Sequence, residues 1–381
     1  MKKYIVKMIR SMIYFYLRFF KFKGKKYHFR QLNAIKRKYE SKELKLVDNN
    51  TNIVGNTDLT IIVPAYNAEK YIEKCINSII NQETRYKYNV ILINDGSSDG
   101  TLGILKSYEE KYSFIKVFSQ KNIGIAETRN KGIKHISGKY VAFIDSDDFI
   151  EKNYVEKLLN CAYEKDADIV RCNYYEYDIN KKSIIKTGKN RPNKTYVNGL
   201  GRDITDYKGY PWGGIFKSKL WRRIEFPNGY WYEDMIIRMI CFREAKVFSY
   251  INDKLYYYCI HDNNISKSIE KTKNIKSLDQ LFLTIELSNL SRKLDLKNDD
   301  ELYYCLLYEF STLLWLRTRK INNKLRREVF QYACDFMQTM NDNYTLNEDF
   351  KIASNIFNRQ DYTGWKLYAV YKMIGVKYGI E

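Results

Sequence analysis

The stretch Tyr140-Val141-Ala142-Phe143-Ile144-Asp145-Ser146-Asp147-Asp148 decides the fold of this chain. Its first five residues are apolar and largely β-branched or aromatic, a run too short for a helix. They read as a buried strand that delivers an acidic cluster to its C-terminal edge. In extended chain the side chains of residues i and i+2 share a face. Asp145 and Asp147 are therefore expected to converge on one ligand set while Ser146 turns aside. That donor arrangement suits a hard divalent cation with positions left open for phosphate. The competing reading makes Asp147 and Asp148 caps of a helix that starts near Tyr154.

Upstream, Leu59-Thr60-Ile61-Ile62-Val63-Pro64 and Asn89-Val90-Ile91-Leu92-Ile93-Asn94 read as two further buried strands. Each ends in a polar loop, Ala65-Tyr66-Asn67 after the first and Asp95-Gly96-Ser97-Ser98-Asp99-Gly100-Thr101 after the second. Between them Tyr71, Ile72, Cys75, Ile76, Ile79 and Ile80 recur at helical spacing. Leu102, Ile104, Leu105 and Tyr108 begin another helix before a strand from Ile115 to Phe118. Alternating strands and helices imply a parallel sheet with helices on its faces. Ligands of such sheets sit in the crevice at the carboxyl ends of the strands, where Tyr66, Asp95 and Asp145 all fall.

Four motifs in order then carry a resemblance: Val63-Pro64-Ala65-Tyr66-Asn67, Asn94 to Thr101, Asn122-Ile123-Gly124 with Ala126 and Arg129-Asn130, and Asp145-Ser146-Asp147-Asp148. From roughly Thr57 to Ser268 the chain resembles the family 2 glycosyltransferases, the large inverting family with the GT-A fold. The resemblance implies an α/β architecture, a Rossmann-like, mostly parallel sheet flanked by helices. It also implies roles. Pro64, Ala65 and Tyr66 would line a base pocket, the tyrosine offering a flat face to a pyrimidine, and Asn67 and Ser146 would belong to the same nucleotide-binding set. Asp95 would accept a hydrogen bond from a uracil imide. Asp145 would hold the ribose or the metal shell, and Asp147 would bind Mn2+ or Mg2+ directly. Arg129 resembles a position near the diphosphate or the acidic triplet.

A second acidic cluster, Glu233-Asp234, opens a probable helix after the aromatic stretch Tyr230-Trp231-Tyr232. Acids in a first helical turn are ordinarily explained by the helix dipole. The resemblance instead implies that Asp234 is the base that deprotonates the acceptor hydroxyl, with Glu233 binding the acceptor or orienting the site. Trp231 and Tyr232 offer faces for sugar stacking, or are ordinary core. After the strand-like Leu255 to Ile260 comes His261, one of three histidines. In the family a histidine here often completes the metal site, and an imidazole among oxygen ligands fits Mn2+ better than Ca2+. Ser266 and Lys267 would touch the diphosphate. Cys259 stands where the family frequently has a basic residue, which leaves phosphate neutralisation to Lys267 or Arg129.

The formal net charge is +20, yet Met1 to Tyr39 hold thirteen Lys or Arg and no acid, leaving 52 basic against 45 acidic residues elsewhere. Within this extension Ile5, Ile9, Met12, Tyr16 and Phe19 or Phe20 recur at helical spacing among Lys7, Arg10, Arg18, Lys21 and Lys23. The uncharged stretch between Arg10 and Arg18 is far short of the ~20 residues that span a bilayer, and no small-residue cleavage site follows. A basic amphipathic helix on anionic lipid is the expectation, against a helix docked on the protein's own core or on a partner. No zinc-finger spacing or RNA-binding signature appears, so nucleic acid is not expected as a partner. Seven cysteines without a Cys-x-x-Cys pair read as reduced thiols of a cytoplasmic protein.

Residues 1–40 are thus expected to form the membrane-surface segment, 41–57 a linker, 58–268 the catalytic domain and 269–381 a helical region. In the last, Leu278 to Ile285, Leu302 to Leu314, Leu325 to Met340 and Trp365 to Val376 show three- and four-residue apolar spacing. These helices suit packing on the catalytic domain or between subunits of a homo-oligomer, and the basic tail from Trp365 suits a second membrane or subunit contact. The expected activity is metal-dependent transfer from a UDP-sugar to a glycan or lipid-linked acceptor at the cytoplasmic face of the membrane, in capsule, exopolysaccharide or teichoic-acid synthesis. A sugar nucleotidyltransferase would want a glycine-rich, basic loop after the first strand, which Pro64-Ala65-Tyr66-Asn67 is not. A non-catalytic scaffold predicts loss of one carboxylate cluster, and both are present.

Overall fold

The computed structural model describes residues 2–20, 24, 26–39, 42–49, 57–262, 264, 274–340 and 344–378. In chain order its elements begin with helices α1 (Lys2–Phe19) and α2 (Arg30–Lys36). The sheet-forming part follows: β1 (Thr57–Ala65), α3 (Ile72–Ile80), β2 (Tyr88–Asp95), α4 (Thr101–Lys111), β3 (Ile115–Gln120), α5 (Ile125–Ile133), β4 (Gly138–Phe143), β5 (Phe149–Ile150) and α6 (Tyr154–Glu164). It ends with β6 (Ile169–Asp178), β7 (Ser183–Thr187), β8 (Lys194–Val197), β9 (Gly214–Lys217) and β10 (Val247–Ile260). Further helices, among them Asp279–Lys293, Asp300–Tyr308, Leu314–Thr318, Asn323–Met337, Glu348–Asn358 and Tyr362–Tyr378, complete the chain.

The strands form one mixed sheet in the order β3-β2-β1-β4-β9-β6-β10-β5, with β7 and β8 added beside β6 and β10. The first four run parallel, as the alternating pattern predicts, and β9 enters antiparallel between β4 and β6. Register pairs Ala65 with Asn94 and Ile62 with Phe143, so β1, β2 and β4 end at one edge of the sheet. That edge receives Tyr66, Asp95 and Asp145.

Successive strand residues feed two cores because both faces of the sheet are covered. Ile61, Val63, Tyr140 and Ala142 pack on the α3 and α6 side, while Ile62, Val141 and Phe143 pack on the α5 side. This is why these strands are almost continuously apolar. The C-terminal helices join the second core, so Leu306, Phe310 and Trp365 share one buried cluster with Phe143 and Phe226. The basic tail differs from the expectation of an open amphipathic surface: Trp365, Tyr368 and Ala369 are buried, and the Trp365 indole donates to the Phe310 carbonyl at 2.8 Å. Strands β5 to β8 and the helix Glu348–Asn358 had no clear signal in the sequence, and the stretch from Thr187 to Tyr210 contains β8 and a 3-10 turn at Gly201–Thr205.

Helix α1 lies against the helix Tyr362–Tyr378. Arg10 sits 4.4 Å over the Tyr371 ring, and Tyr14 packs beside the same ring. The face turned away exposes Ile5, Met8, Ile9, Met12, Phe15 and Phe19. No helix among the described residues is long and apolar enough to cross a membrane.

Candidate active site

The loops after β1 and β2 are stitched together by side chains. Asn67 takes a left-handed φ of 47°, which asparagine tolerates better than most residues. Its side-chain oxygen accepts from the Ser98 N–H at 2.9 Å, and its own N–H donates to Ser97 Oγ at 3.0 Å. Pro64 and Ala65 are buried at the end of β1, and Tyr66 is exposed. Asp95 accepts from Gln120 Nε2 at 2.9 Å, from the Ile123 N–H at 3.0 Å and from the Gly124 N–H at 2.9 Å. A carboxylate has about four acceptor positions, so one remains after Asp95 has tied β2 to the turn that opens α5.

Arg129 on α5 joins the two carboxylate clusters. Its Nη2 donates to Asp145 at 2.9 Å and its Nη1 to Glu233 at 2.7 Å. Burial works against the cation, but the Asp145 and Glu233 charges outweigh it and hold the guanidinium above its ordinary pKa. Arg129 therefore stands with the acidic triplet, its terminal nitrogens already engaged by carboxylates.

Asp145 and Asp147 do not share the face that strand alternation predicts. β4 ends at Phe143, and the Asp148 N–H donates to the Asp145 carbonyl at 3.0 Å, closing a turn. Asp145 consequently faces Arg129, while Asp147 Oδ2 meets His261 Nε2 at 2.8 Å. Among the described residues Asp145, Asp147 and His261 do not gather into one three-ligand cluster. Ser146 is half-buried between them. Asp148 caps no helix: its carboxylate accepts from the Cys259 N–H at 2.7 Å and from the Tyr256 hydroxyl at 2.6 Å. Burial, then the charges of Asp147 and Asp145, push this carboxyl well up. Asp148 thereby fastens the acidic turn to β10, the strand that leads to His261.

His261 is buried, its ring stacked on Tyr71 at 4.5 Å between centroids, and its backbone N–H donates to Asn264 Oδ1 at 2.7 Å. Its Nδ1 has no hydrogen-bond partner. The Asp147 carboxylate and the His261 imidazole, hydrogen-bonded to one another, are a mixed O/N pair of the donor types that fit Mn2+. Ser266 and Lys267 lie outside the described residues.

Glu233 and Asp234 occupy the turn that opens the helix of residues 235–244, whose segment Ile237–Cys241 is π-helical. Tyr232 before them has a φ of 67°, an uncommon and costly conformation for a bulky residue, of the kind that marks functional sites. In the first turn of that helix Arg238 pairs with Glu309 at 2.8 Å, and Glu309 also accepts from Gln280 at 2.8 Å. Glu309 begins a second π-helical turn, so the C-terminal helices anchor the Asp234 turn through a buried ion pair. Asp234 is largely enclosed yet keeps an edge to solvent. Burial and the Glu233 charge raise its carboxyl to about 7, with Arg129 and Arg317 opposing the shift. A carboxylate with that affinity for protons suits a general base at neutral pH.

The sequence left several members of this site unread. Tyr71 resembled an ordinary helical core position, Asp148 was read within the acidic motif or as a helix cap and not as a tie to β10, Tyr256 lacked a distinguishing pattern, and Arg317 lies in a region without motifs. The aromatics nearest the cleft also differ from expectation. Tyr232 has one face covered by Arg317, whereas Trp212 stacks on Tyr210 at 4.5 Å, Tyr256 at 4.7 Å and Tyr258 at 5.3 Å.

A family model described as Glycosyl transferase family 2 matches residues 60–222. "Glycosyltransferase GlyA" of Streptococcus pneumoniae serotype 4 is 33% identical over 219 residues, covering 55% of this chain and 31% of that protein. "Putative glycosyltransferase EpsH" of Bacillus subtilis is 33% identical over 223 residues, covering 56% of this chain and 64% of that protein. The chain thus spans less than two thirds of either relative. The crystal structure of S. aureus TarS superposes with a TM-score of 0.54 at 20% identity, over 82% of this chain and 55% of that one, a likeness of fold. Taken with the strand-end acids and the order of the sheet, these matches place residues 60–222 in glycosyltransferase family 2, on a GT-A fold.

Proposed function

We propose that this chain is an inverting, metal-dependent glycosyltransferase that moves a sugar from a UDP-sugar to a glycan or lipid-linked acceptor at the membrane surface. The observation that carries the reading is the Arg129 bridge, which sets the raised carboxyl of Asp234 beside the acidic turn of Asp145 and Asp147. Tyr66 offers its exposed ring to the uracil, and Asp95 retains one acceptor position for the imide. Asp147 and His261 would hold the divalent cation, which when bound supplies Lewis-acid neutralisation to the departing diphosphate. The acceptor oxygen attacks the anomeric carbon as Asp234 takes its proton. The bond from that carbon to the UDP oxygen breaks on the opposite face, inverting the centre.

The donor half of this reading is tested by calorimetry. Asp147→Asn is expected to weaken Mn2+-dependent UDP binding by at least about 10- to 100-fold, the scale already seen when only an outer-shell partner of a metal ligand is lost. Chelation by EDTA should do the same to the wild type, and unchanged UDP affinity in either experiment would refute the assignment.

The membrane half rests on α1, whose inner face is taken by the helix Tyr362–Tyr378 and whose outer face exposes apolar side chains among lysines and arginines. Such a face suits anionic lipid, at ~1 kcal/mol per basic residue near the surface. Co-sedimentation with phosphatidylglycerol vesicles is expected, weakening as salt rises. Met12→Glu combined with Phe15→Glu should reduce the bound fraction at least tenfold. Equal binding of the variant, or of wild type to neutral vesicles, would exclude this surface.

A further inference from the structure

We infer that Arg317 forms an anion-binding subsite on the acceptor side of the cleft, so that the acceptor carries an oxyanion, phosphate or carboxylate, beside the hydroxyl that is glycosylated. The inference rests on the reading of Asp234 as the base and goes beyond it by naming the acceptor's chemical class.

Three arginines surround the turn of Glu233 and Asp234, and two are engaged. Arg129 is held by Asp145 and Glu233, and Arg238 by Glu309 at 2.8 Å and the Tyr207 carbonyl at 3.1 Å. Arg317, on the helix Leu314–Thr318, lies 4.4 Å over the ring of Tyr232, immediately before the acid pair. It makes no ion pair among the described residues, and its buried Nε has no hydrogen-bond partner. It is half-buried rather than extended into solvent. Its charge nevertheless reaches Asp234, opposing the rise caused by burial and Glu233.

A guanidinium stacked flat on an aromatic ring uses its face for the contact and keeps its N–H groups in the plane of its edge. That edge matches two oxygens of a phosphate or carboxylate in a bidentate pair. Tyr232, at a left-handed φ of 67°, directly precedes the acid pair, so the arginine stacked on its ring lies at the same turn as the base. A partly enclosed cation without a counter-ion, fixed next to the base, is incomplete until an anion arrives. Arg317 thus belongs to substrate binding, and the C-terminal helices contribute specificity to the cleft as well as support.

The test titrates the full chain, saturated with UDP and Mn2+, with glycerol 3-phosphate, glycerate and glycerol by saturation-transfer NMR. Glycerol 3-phosphate or glycerate is expected to bind and glycerol not to. The stronger of the two anions identifies phosphate or carboxylate as the group recognised. Arg317→Gln should weaken anion binding at least tenfold with UDP affinity and Tm unchanged, and Arg317→Lys should fall between the two. Equal binding of glycerol, no anion binding by wild type, unchanged anion affinity in Arg317→Gln, or a parallel loss of UDP affinity would each overturn the subsite. The same titration without UDP separates the two readings, since anion binding that depends on Arg317 in a protein unable to bind UDP would fault the donor assignment alone.

Discussion

Replacing Asp234 by Asn is expected to lower sugar transfer about 100- to 10,000-fold, the usual contribution of a positioned general base, while UDP binding is retained. The wild-type rate should rise tenfold per pH unit below about 7 and level off above it, because the base works only when deprotonated. The residual rate of Asp234→Asn should lack this inflection. Stability should move the opposite way. A carboxyl whose pKa is higher in the folded state than in the unfolded chain binds its proton more tightly when folded. Its destabilising effect is absent below the unfolded value of 3.8, grows as pH rises and is complete above about 7. The Asn variant should therefore melt at a higher temperature than wild type at pH 8 and at the same temperature near pH 4. Normal turnover in Asp234→Asn, or a wild-type rate independent of pH between 5 and 8, would remove Asp234 from the reaction.

Arg129→Met should cost roughly 3 kcal/mol of stability, the lower end for removing one member of a buried charge pair. The lower end applies because Asp145 and Glu233 keep 26% and 16% of their side-chain surface and can be partly rehydrated. Transfer should also be lost, since both clusters take their positions from the same guanidinium. The surviving Asp234 should titrate higher than in wild type, because Arg129 opposes its upward shift. A triple variant with Asp145→Asn and Glu233→Gln added removes the uncompensated charges. It should recover most of the stability and none of the activity. Urea denaturation of the three proteins separates these effects, and a single variant as stable as wild type would show that the bridge contributes little.

The parallel half of the sheet was legible because its strands bury both faces. Leu59 to Pro64, Asn89 to Asn94 and Tyr140 to Ile144 are mostly apolar runs, each followed by a polar loop, and their ends meet within a residue or two of the expected places. The short strands β5 and β7 to β9 were not legible, since two to five residues carry no usable period and depend on β6 and β10 for their hydrogen bonds. Asp145, Asp147 and His261 were expected in one ligand set, and the structure brings Asp147 to His261 across more than one hundred residues. The separation of Asp145 from that pair was not foreseen, because a turn at Asp148 replaces the extended chain on which the alternation rule rests. Tyr232 likewise gave no sign of its backbone strain, which surrounding structure imposes.

The amino-acid order alone determined which residue types stand at the ends of which strands: Tyr66, Asp95, the Asp145 to Asp148 cluster and His261, because strand period and turn chemistry are local properties. What only tertiary structure decided is how these groups divide among partners. Arg129 reaches carboxylates 16 and 104 residues away, Glu309 anchors the Asp234 turn from 71 residues beyond Arg238, and Arg317 arrives from helices without any motif. The reason is physical: the proton affinity of Asp234 and the commitment of each arginine depend on burial and on charges brought close by packing, which no local pattern encodes.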